Sequence, residues 1–477
     1  MTFEHQSAPL WSPYLEWTIK SPTKTAYETD AIAIFTHTDT GETIRTGIFP
    51  LSENVWAFRF ANSTVGDWSF TTESADTALN GHAGQVTIAP NPAARGTLTH
   101  KGHWWTWSET GDVIVPQLAM YETPDGFHRN SDQIAEDIHT FFEQHGFNGF
   151  HVPVFCRWLD IDKEANPEFT DTDPMPDPRT FEALESLITR VWLEGGLVHL
   201  WLWGDNDANH KMTPMRDDWG GKNGRVAHRL YRYIADRLGP VTGWSMGYGF
   251  DLEHWVEEED LRLWHDTMTA RMGWPHLLGG RSGRPKDGPE LLQIYDGLDY
   301  AGYTHLRPSY DEYLRTVRHH PDKPVFSEDR FRIRKSERHK AKDYDEERTR
   351  LGLWHSVMAG GVANIWGKMA EGEVRGRSAP YPNAELLLTA TRFFEGRLSS
   401  DMAIDETLSD GCALRSAKRI ILYKEDCDSI QLSEEIETAN AVGVDARKPY
   451  REDEITIHGR TVSLPSRSDW AVSVELA

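Results

Sequence analysis

The spacing of apolar residues changes twice along this chain, and the changes divide it into three regions. From residue 1 to about 95, segments such as "AYETDAIAIFTH", "VWAFRFA" and "GDWSFTTES" alternate apolar and polar positions, as half-buried β-strands do. Turn-forming pieces such as "DTGE" and "LNGHAGQ" separate them. The pattern predicts a small antiparallel β-sandwich over residues 1–95.

From about residue 96 to 395, short apolar runs alternate with longer amphipathic segments, which is typical of βα units around a parallel sheet. Helices are predicted in segments such as "SDQIAEDIHTFFEQHG" and "DPRTFEALESLITRVWLEGG", each ending at a glycine. Eight runs have the character of buried strands: "DVIVPQLAMYE", "GFNGFHVPVFCRW", "GLVHLWLWGDND", "VTGWSMGYGFDLEHW", "HLLGGRSGRP", "DYAGYTHLRP", "KPVFSEDR" and "GGVANIWGK". Eight units in about 300 residues predict a (β/α)8 barrel, an α/β fold. An open doubly wound sheet is the alternative, but no Gly-rich phosphate loop opens any of the predicted helices.

Strand patterning returns in the last region, residues 396–477, with "RIILYK", "EITIHG", "TVSLPS" and "WAVSVEL". These segments predict a small C-terminal antiparallel β-domain. The expected organisation is therefore a TIM barrel between two β-domains.

Composition excludes several kinds of partner. The 477 residues include 50 Lys and Arg against 74 Asp and Glu, a net charge of -24. Such a surface repels nucleic acid and anionic membranes. The three cysteines, Cys156, Cys412 and Cys427, lack metal-ligand spacing and fit a reducing compartment. The start "MTFEHQSAPLWSPY" has no secretory pattern, so we expect a cytoplasmic protein, and the sequence leaves a homo-oligomer open.

In a barrel of this kind, chemistry lies where the strands end at their C-terminal face. That rule nominates site residues directly from the predicted strands. The nominees are rich in carboxylates, Arg and aromatic side chains: Arg157, Trp158, Asp205, Asn206, Asp207, Asp251, Glu253, His254, Arg281, Arg284, Tyr303, His305, Arg307, Glu328, Asp329, Arg330, Trp366 and Lys368.

This set suits the hydrolysis of a glycosidic bond, which needs two carboxyl groups and no cofactor. One carboxyl protonates the leaving oxygen, and the other attacks the anomeric carbon or activates water. An Arg and a Tyr beside the nucleophile would keep it ionised, and a Trp at the rim could stack on a sugar ring. A metal is not expected: "DNDAN" at 205–209 begins like a calcium loop but lacks the later Gly and Glu, so we interpret it as a polar, sugar-contacting loop.

Four segments carry a family resemblance: "PVFSEDR", "GYTHL", "VFCRW" and "NIWGK". They resemble the strand ends of clan A glycoside hydrolases, retaining (β/α)8 enzymes with the nucleophile after strand seven and the acid/base after strand four. The resemblance implies that Glu328 is the nucleophile and Tyr303 its contact, with Arg157 the second-strand Arg and Trp366 the eighth-strand Trp. The first region also resembles a β-sandwich domain that precedes such barrels, in "YETDAIAIFTH", "GIFPLSENVWAFRF" and "VGDWSFTT".

One departure concerns the acid/base. The clan usually carries Asn-Glu after strand four, whereas this chain has Tyr248-Gly249, and its acids come later as Asp251 and Glu253. A bulge at the glycines could bring either acid into place. We favour Glu253 because its side chain is longer. A separation of about 5 Å from Glu328 would indicate a retaining enzyme, and roughly 6.5 to 9.5 Å an inverting one.

The stretch "KPVFSEDRFRIRKSERHKAKDY", residues 323–344, is basic in an acidic protein. It could form an exposed basic face, as most charge runs do. Together with Arg157, Arg281 and Arg307, however, Arg332 would gather positive charge at the predicted mouth, where it would attract anions. Because Arg pairs well with carboxylate and sulfate groups, we expect a sugar that carries a uronate or sulfate group.

These observations lead to one hypothesis and two alternatives. The hypothesis is a retaining, exo-acting glycoside hydrolase on an imported oligosaccharide, with the catalytic residues above. The alternatives are a non-catalytic carbohydrate-binding barrel and a polysaccharide lyase acting on uronates. Simpler roles also stay open: Glu328 as an acid paired with a nearby Arg, Glu253 as a first-turn helix acid, and Trp366 as core. The residues expected to bind substrate are Arg157, Trp158, Asp205, Tyr303, His305, Arg281, Arg332 and Trp366.

Overall fold

A computed structural model describes residues 2–22, 27–121, 126–163, 169–204, 216–282, 293–305, 309–331, 346–368, 381 and 384–477, without the side chains of residues 329–331, 346, 368 and 439. Within these ranges the chain forms a parallel barrel between two antiparallel β-domains. The predicted fold class is confirmed. None of the described helices has the length and apolarity needed to cross a membrane.

The N-terminal domain is a sandwich of two sheets. One sheet has the order β1-β8-β7-β3-β4 and the other the order β2-β6-β5. Their shared core contains Trp17, Phe35, Phe58 and Phe70, with 4.9 Å between the ring centres of Trp17 and Phe70. The strands are β1 (Gln6–Pro9), β2 (Leu15–Lys20), β3 (Ala31–His37), β4 (Thr43–Gly47), β5 (Phe49–Ser52), β6 (Val55–Phe60), β7 (Gly66–Ser74) and β8 (Ala83–Ala89).

A short hairpin, β9 (Leu98–Lys101) and β10 (Trp104–Trp107), leads into the barrel. All neighbouring barrel strands pair in parallel. The fifth barrel strand has two short pieces on either side of Gly280: β15 pairs with the fourth strand, and β16 pairs with the sixth and closes the barrel. The strands are β11 (Gln117–Met120), β12 (Gly149–Pro153), β13 (Leu197–Trp201), β14 (Trp244–Gly247), β15 (Leu278–Gly279), β16 (Arg281–Ser282), β17 (Ala301–Tyr303), β18 (Val325–Phe331) and β19 (Ala363–Lys368).

Helices surround the barrel, and their ends follow the sequence signals. Asn130 and Gln133 form a capping box at the start of α1, and Pro178 occupies the first turn of α2 after the Asp177 cap. Gly146, with φ 78°, follows the first helical segment as predicted. The helices are α1 (Ser131–Ile138), continued by a π-helical segment (His139–Gln144), α2 (Pro178–Leu193), α3 (Arg225–Leu238), α4 (Glu258–Met272), α5 (Tyr310–His319), α6 (Glu346–Met358) and α7 (Ala384–Phe394).

The C-terminal sheet has the order β20-β21-β22-β26-β23-β24, and β25 pairs with β26. Its strands are β20 (Ala403–Ile404), β21 (Cys412–Arg415), β22 (Arg419–Gln431), β23 (Thr438–Asp445), β24 (Glu452–Glu454), β25 (Thr456–His458) and β26 (Thr461–Leu476). Asp469, which is buried in this domain, pairs with Arg350 of α6 at 2.6 Å. On the other side, Arg59 of the N-terminal domain pairs with Glu185 of α2 at 2.8 Å. Buried ion pairs therefore join both β-domains to the barrel.

Because side chains alternate along a strand, each barrel strand presents one set of residues inward and the other toward the helices. The barrel interior is filled by Leu118, Trp201, Tyr300, Phe326 and Ile365. The opposite face of the sixth and seventh strands packs on α5 through Ala301, Tyr303, Tyr313, Val317 and Val325. This division decides which predicted site residues reach the interior.

Candidate active site

Glu328 lies inside the barrel toward the C-terminal end of the seventh strand. It follows Phe326 by two positions and shares its inward direction, and its side chain is fully buried. In the pairing with β19, Ser327 is opposite Asn364, yet Arg330 is opposite Ile365. Glu328 and Asp329 are therefore extra residues in a bulge, the kind of irregularity that re-aims side chains next to active sites.

One carboxylate oxygen of Glu328 receives three hydrogen bonds. Oε1 lies 2.7 Å from the Tyr300 hydroxyl, 2.9 Å from Nε2 of His199 and 3.2 Å from Nε1 of Trp201. Among the described residues, Oε2 meets no hydrogen-bond donor. Burial and the neighbouring Glu328 carboxylate raise the pKa of Tyr300 well above its usual value, so the phenol keeps its proton and donates it. The arrangement holds the carboxylate by one oxygen and leaves the other without a hydrogen bond from the described residues.

Two glycines make room for this carboxylate. A Cβ atom at Gly247, at the end of β14, would lie 2.4 Å from Oε1 of Glu328. A Cβ atom at Gly302, in β17, would lie 2.4 Å from Oε2. Both distances are shorter than any tolerable contact. The fourth and sixth strands thus lack side chains at the two positions that face Glu328.

Arg281 connects the seventh strand to the residues after the fourth. Its Nη1 donates to the backbone carbonyl of Glu328 at 3.3 Å, and its Nη2 forms an ion pair with Asp251. The guanidinium carbon lies 5.3 Å from the Phe250 ring centre and 5.8 Å from that of Trp201. Arg281 is 3% exposed. Arg281 thus connects Asp251, one of the two acids considered for the acid/base position, to the backbone of Glu328.

Two residues beside the site have left-handed backbone. Asp251 has φ 52° and Phe155 has φ 55°, conformations that are uncommon for residues other than glycine. The rings of Phe155 and Phe250 lie 5.9 Å apart, and those of Trp201 and Phe250 lie 5.0 Å apart. Such strain concentrates at functional sites, where the surroundings hold it in place.

Glu253 is placed differently. It lies in a 3-10 turn, Leu252–His254, with its carboxylate 3.8 Å from Nε2 of His254, and its side chain is 36% exposed, against 38% for Asp251. Asp251, by contrast, is bound by a buried arginine. The preference for Glu253 on the basis of side-chain length alone did not take this turn into account.

Tyr303 and His305 do not face Glu328. Tyr303 is adjacent to the inward Gly302 and points the other way, and its hydroxyl lies 2.6 Å from Nε2 of His320. His305 is fully buried beside Tyr303 and Tyr313, with ring centres 5.9 and 5.1 Å away. The expectation that Tyr303 contacts Glu328 is wrong, because the strand alternation gives that role to Tyr300.

Three other predicted substrate residues make none of the hydrogen bonds to Glu328 described above. Trp158 is fully buried, and its indole nitrogen donates to the Leu202 carbonyl at 3.0 Å. Trp366 is fully buried and donates to the Gln117 side chain at 2.7 Å, so it is a core residue and not a platform at the rim. Arg157 is half-buried, with its guanidinium 5.4 Å from the Phe127 ring centre. None of the three hydrogen bonds that hold Oε1 comes from Arg157.

Asp205 and Arg332 lie outside the described residues, as do Asn206, Asp207, Arg284 and Arg307, and the side chains of Asp329, Arg330 and Lys368 are likewise outside them. Among the side chains that are described, no group of three or more His, Cys, Asp or Glu residues is arranged to hold a metal ion.

A large cavity lies elsewhere in the described structure. It measures about 860 Å³ and is lined by Arg95, Gln117, Asn148 and Gly195, among others. Gln117 and Asn148 stand at the starts of the first and second barrel strands. The cavity therefore opens at the N-terminal face of the barrel, whereas barrels of this kind carry their chemistry at the C-terminal face, where Glu328 lies.

Sequence reasoning missed the residues that hold Glu328: His199, Trp201 and Tyr300. A signal for them exists. His199 is a polar residue in the middle of an apolar strand, "LVHLW", and Trp201, two residues later, points to the same face of that strand. Tyr300 likewise points to the same face as Gly302. Working out which residues of each strand face the barrel interior, before considering residue type, would have selected all three.

Comparison with known proteins supports the fold. No protein-family model matches the chain, and neither does any curated protein. A presumed glycoside hydrolase from Bacteroides vulgatus ATCC 8482 aligns over 99% of this chain and 100% of its own, with TM-score 0.74 and 15% identity. A GH113 β-1,4-mannanase aligns over 58% of this chain and 98% of its own, with TM-score 0.40 and 11% identity. A β-glucuronidase from Ruminococcus gnavus aligns over 79% of this chain and 67% of its own, with TM-score 0.39 and 10% identity. At 15% identity, the first comparison establishes a shared fold along the whole chain.

Proposed function

We propose that this protein is a retaining, exo-acting glycoside hydrolase in which Glu328 is the nucleophile. The observation that carries the proposal is the asymmetric binding of the Glu328 carboxylate. Three donors hold Oε1, while Oε2 meets none among the described residues. Attack on an anomeric carbon requires such an oriented carboxylate with one free oxygen.

Asp251 is the acid/base in this proposal, in place of Glu253. Arg281 contacts both Asp251 and the backbone of Glu328, so Asp251 belongs to the same group of side chains. Glu253 lies on an exposed turn beside His254. A retaining mechanism needs the second carboxyl about 5 to 5.5 Å from the nucleophile.

An acidic group on the sugar would make this arrangement work. In the ion pair with Arg281, Asp251 is a carboxylate, whereas a general acid must carry a proton. A uronate or sulfate group that binds Arg281 would draw the guanidinium away from Asp251. The substrate is then an acidic oligosaccharide, and turnover of a uronide should exceed that of the matching neutral glycoside. The contrast should weaken in Arg281→Gln and at high salt.

The site of action in this proposal is the cytoplasm. Cys156 and Cys427 are buried and Cys412 is half-buried, and none of the three is in a disulfide bond. The absence of a disulfide bond among these three cysteines fits a reducing compartment.

The test is hydrolysis of a panel of aryl glycosides and uronides by wild type and Glu328→Gln. Because Gln cannot attack, the variant should lose nearly all turnover and keep its circular dichroism spectrum. NMR of the first product should show the anomeric configuration of the substrate. Residual activity above about 1% of wild type would contradict the role of Glu328, and an inverted product would contradict retention.

Two other results would redirect the assignment. An unsaturated product absorbing in the ultraviolet would identify a lyase. Glycan binding in calorimetry without any turnover would identify a binding protein.

A further inference from the structure

We propose that Ser245 is a positioning residue that holds the imidazole ring of His199 in place, and that it thereby holds Glu328 for reaction. The inference rests on the proposed role of Glu328 as nucleophile. It concerns three buried side chains from the third, fourth and seventh barrel strands.

The three side chains form a linear chain of contacts. Nδ1 of His199 lies 3.0 Å from the Ser245 hydroxyl, and Nε2 lies 2.9 Å from Oε1 of Glu328. His199 and Glu328 are fully buried, and Ser245 is 1% exposed. The imidazole stacks on His151 at 5.2 Å and meets the Phe326 ring at 4.6 Å. The ring is therefore enclosed on both faces and at both nitrogens.

The other partners of Oε1 indicate where the His199 proton lies. Trp201 N–H is only a donor, and the Tyr300 hydroxyl at 2.7 Å donates to a carboxylate. An oxygen that already receives two hydrogen bonds is an acceptor, so the third partner must also donate. His199 consequently carries its proton on Nε2.

The Ser245 hydroxyl faces Nδ1 of His199 and, because a hydroxyl both donates and accepts, it can pair with a lone pair or with an N–H there. Without the hydroxyl, Nδ1 would be a buried polar atom that has lost this partner, which is unfavourable. The ring would then lose the contact that fixes its orientation, and the hydrogen bond from Nε2 to Glu328 would weaken. Ser245 thus holds the ring in the orientation that binds Glu328.

NMR of histidine-labelled protein tests these hydrogen bonds directly. The chain has 21 His, so His199→Gln is needed to identify the resonance. In wild type we expect a proton on Nε2. In Ser245→Ala, which removes a single oxygen atom, we expect the Nδ1 resonance to shift because its hydrogen bond is lost, and the Nε2 resonance to shift because its bond to Glu328 weakens. The titratable groups facing His199 are Glu328, Tyr300 and His151, so the spectra are recorded across the pH range in which these variants stay folded.

Kinetics supply the second readout. Ser245→Ala should lower kcat about 10- to 100-fold, as loss of an outer partner of a catalytic group does, with KM nearly unchanged. Its pH profile should also shift. Ser245→Thr keeps the hydroxyl and should recover most of kcat. Ser245→Val has the shape of the Thr variant but no hydroxyl, so it should not.

Each outcome decides the inference. A wild-type His199 protonated only at Nδ1, or a spectrum unchanged in Ser245→Ala, would overturn it. Equal kcat for the Thr and Val variants would do the same, because shape and not hydrogen bonding would then be the cause. If wild type hydrolyses no glycoside, the proposed function fails, while the His199 spectrum still tests the hydrogen bond to Ser245.

Discussion

The hydroxyl of Tyr300 lies 2.7 Å from Oε1 of Glu328. Tyr303 follows three residues later and points to the opposite face of the sheet, where its hydroxyl forms a hydrogen bond with His320. The two tyrosines form a matched pair for a test. A hydrogen bond to a charged group contributes about 1.5 to 3 kcal/mol. Tyr300→Phe should therefore lower kcat roughly 10- to 100-fold in an aryl-glycoside assay. Tyr303→Phe, measured in parallel, should retain wild-type kcat, and the reverse ranking would contradict the site.

The assignment of the acid/base predicts a dependence on the leaving group. Asp251→Ala should hydrolyse a glycoside with a dinitrophenolate leaving group almost normally, because that group departs without a proton. With an alkyl leaving group, kcat/KM should fall about 100- to 10,000-fold. Glu253→Ala should behave like wild type with both substrates. If Glu253→Ala shows the leaving-group dependence and Asp251→Ala does not, the longer acid is the catalyst.

The close packing around Glu328 predicts that substitutions at Gly247 and Glu328 have non-additive effects on stability. The Cβ atom of Gly247→Ala would lie 2.4 Å from Oε1, with Trp201 Cδ1 at 2.9 Å and the Tyr300 hydroxyl at 3.1 Å. Overpacking of this kind costs about 1 to 3 kcal/mol. In a Glu328→Ala background the nearest atom is gone, so the same substitution should cost less. Urea unfolding of the four proteins in this cycle measures the difference, and equal costs in both backgrounds would rule out the contact.

The architecture could be predicted from sequence because burial leaves a strong local pattern. A barrel strand is covered on both faces, so it appears as a short apolar run, and each of the eight runs overlaps an observed strand. The glycines after α1 and α2 also follow from local chemistry, since Gly146 and Gly195 have φ 78° and 89°. The break at Gly280 within the fifth strand had no comparable signal.

The site was harder to predict because it depends on direction as well as position. Glu328 was nominated because a carboxylate at the end of an apolar strand is conspicuous, and its side chain lies inside the barrel. Tyr303 was nominated because it lies at the strand end and because "GYTHL" resembles the sixth-strand segment of the family, yet one step along a strand reverses the side chain. The prediction that Trp366 lines the sugar site fails for the same reason: its neighbour Ile365 faces the interior, so Trp366 points the other way. Residue type suggested the chemistry, and only the alternation decides which residues take part.

A buried histidine just before the fifth strand predicts how stability depends on pH. His276 stacks on Trp244 at 4.0 Å, and its Nε2 lies 2.8 Å from the Gly239 carbonyl. Burial lowers its pKa to about 4 from an ordinary value of 6.5. Above pH 6.5 the ring is neutral in both the folded and the unfolded chain, so His276 contributes no pH dependence there. Between pH 6.5 and 4 only the unfolded chain takes up the proton, so the free energy of unfolding falls as pH falls.

The shift limits this loss to about 3 kcal/mol. His276→Gln removes the titrating group, so its urea midpoint should decline less than that of wild type between pH 6.5 and 5, although the variant is less stable at pH 7.5. His458→Gln, at an exposed position, is the control and should follow wild type. Tryptophan fluorescence reports the transition, since Trp244 lies against the ring. Parallel declines for wild type and His276→Gln would show that other groups cause the acid sensitivity.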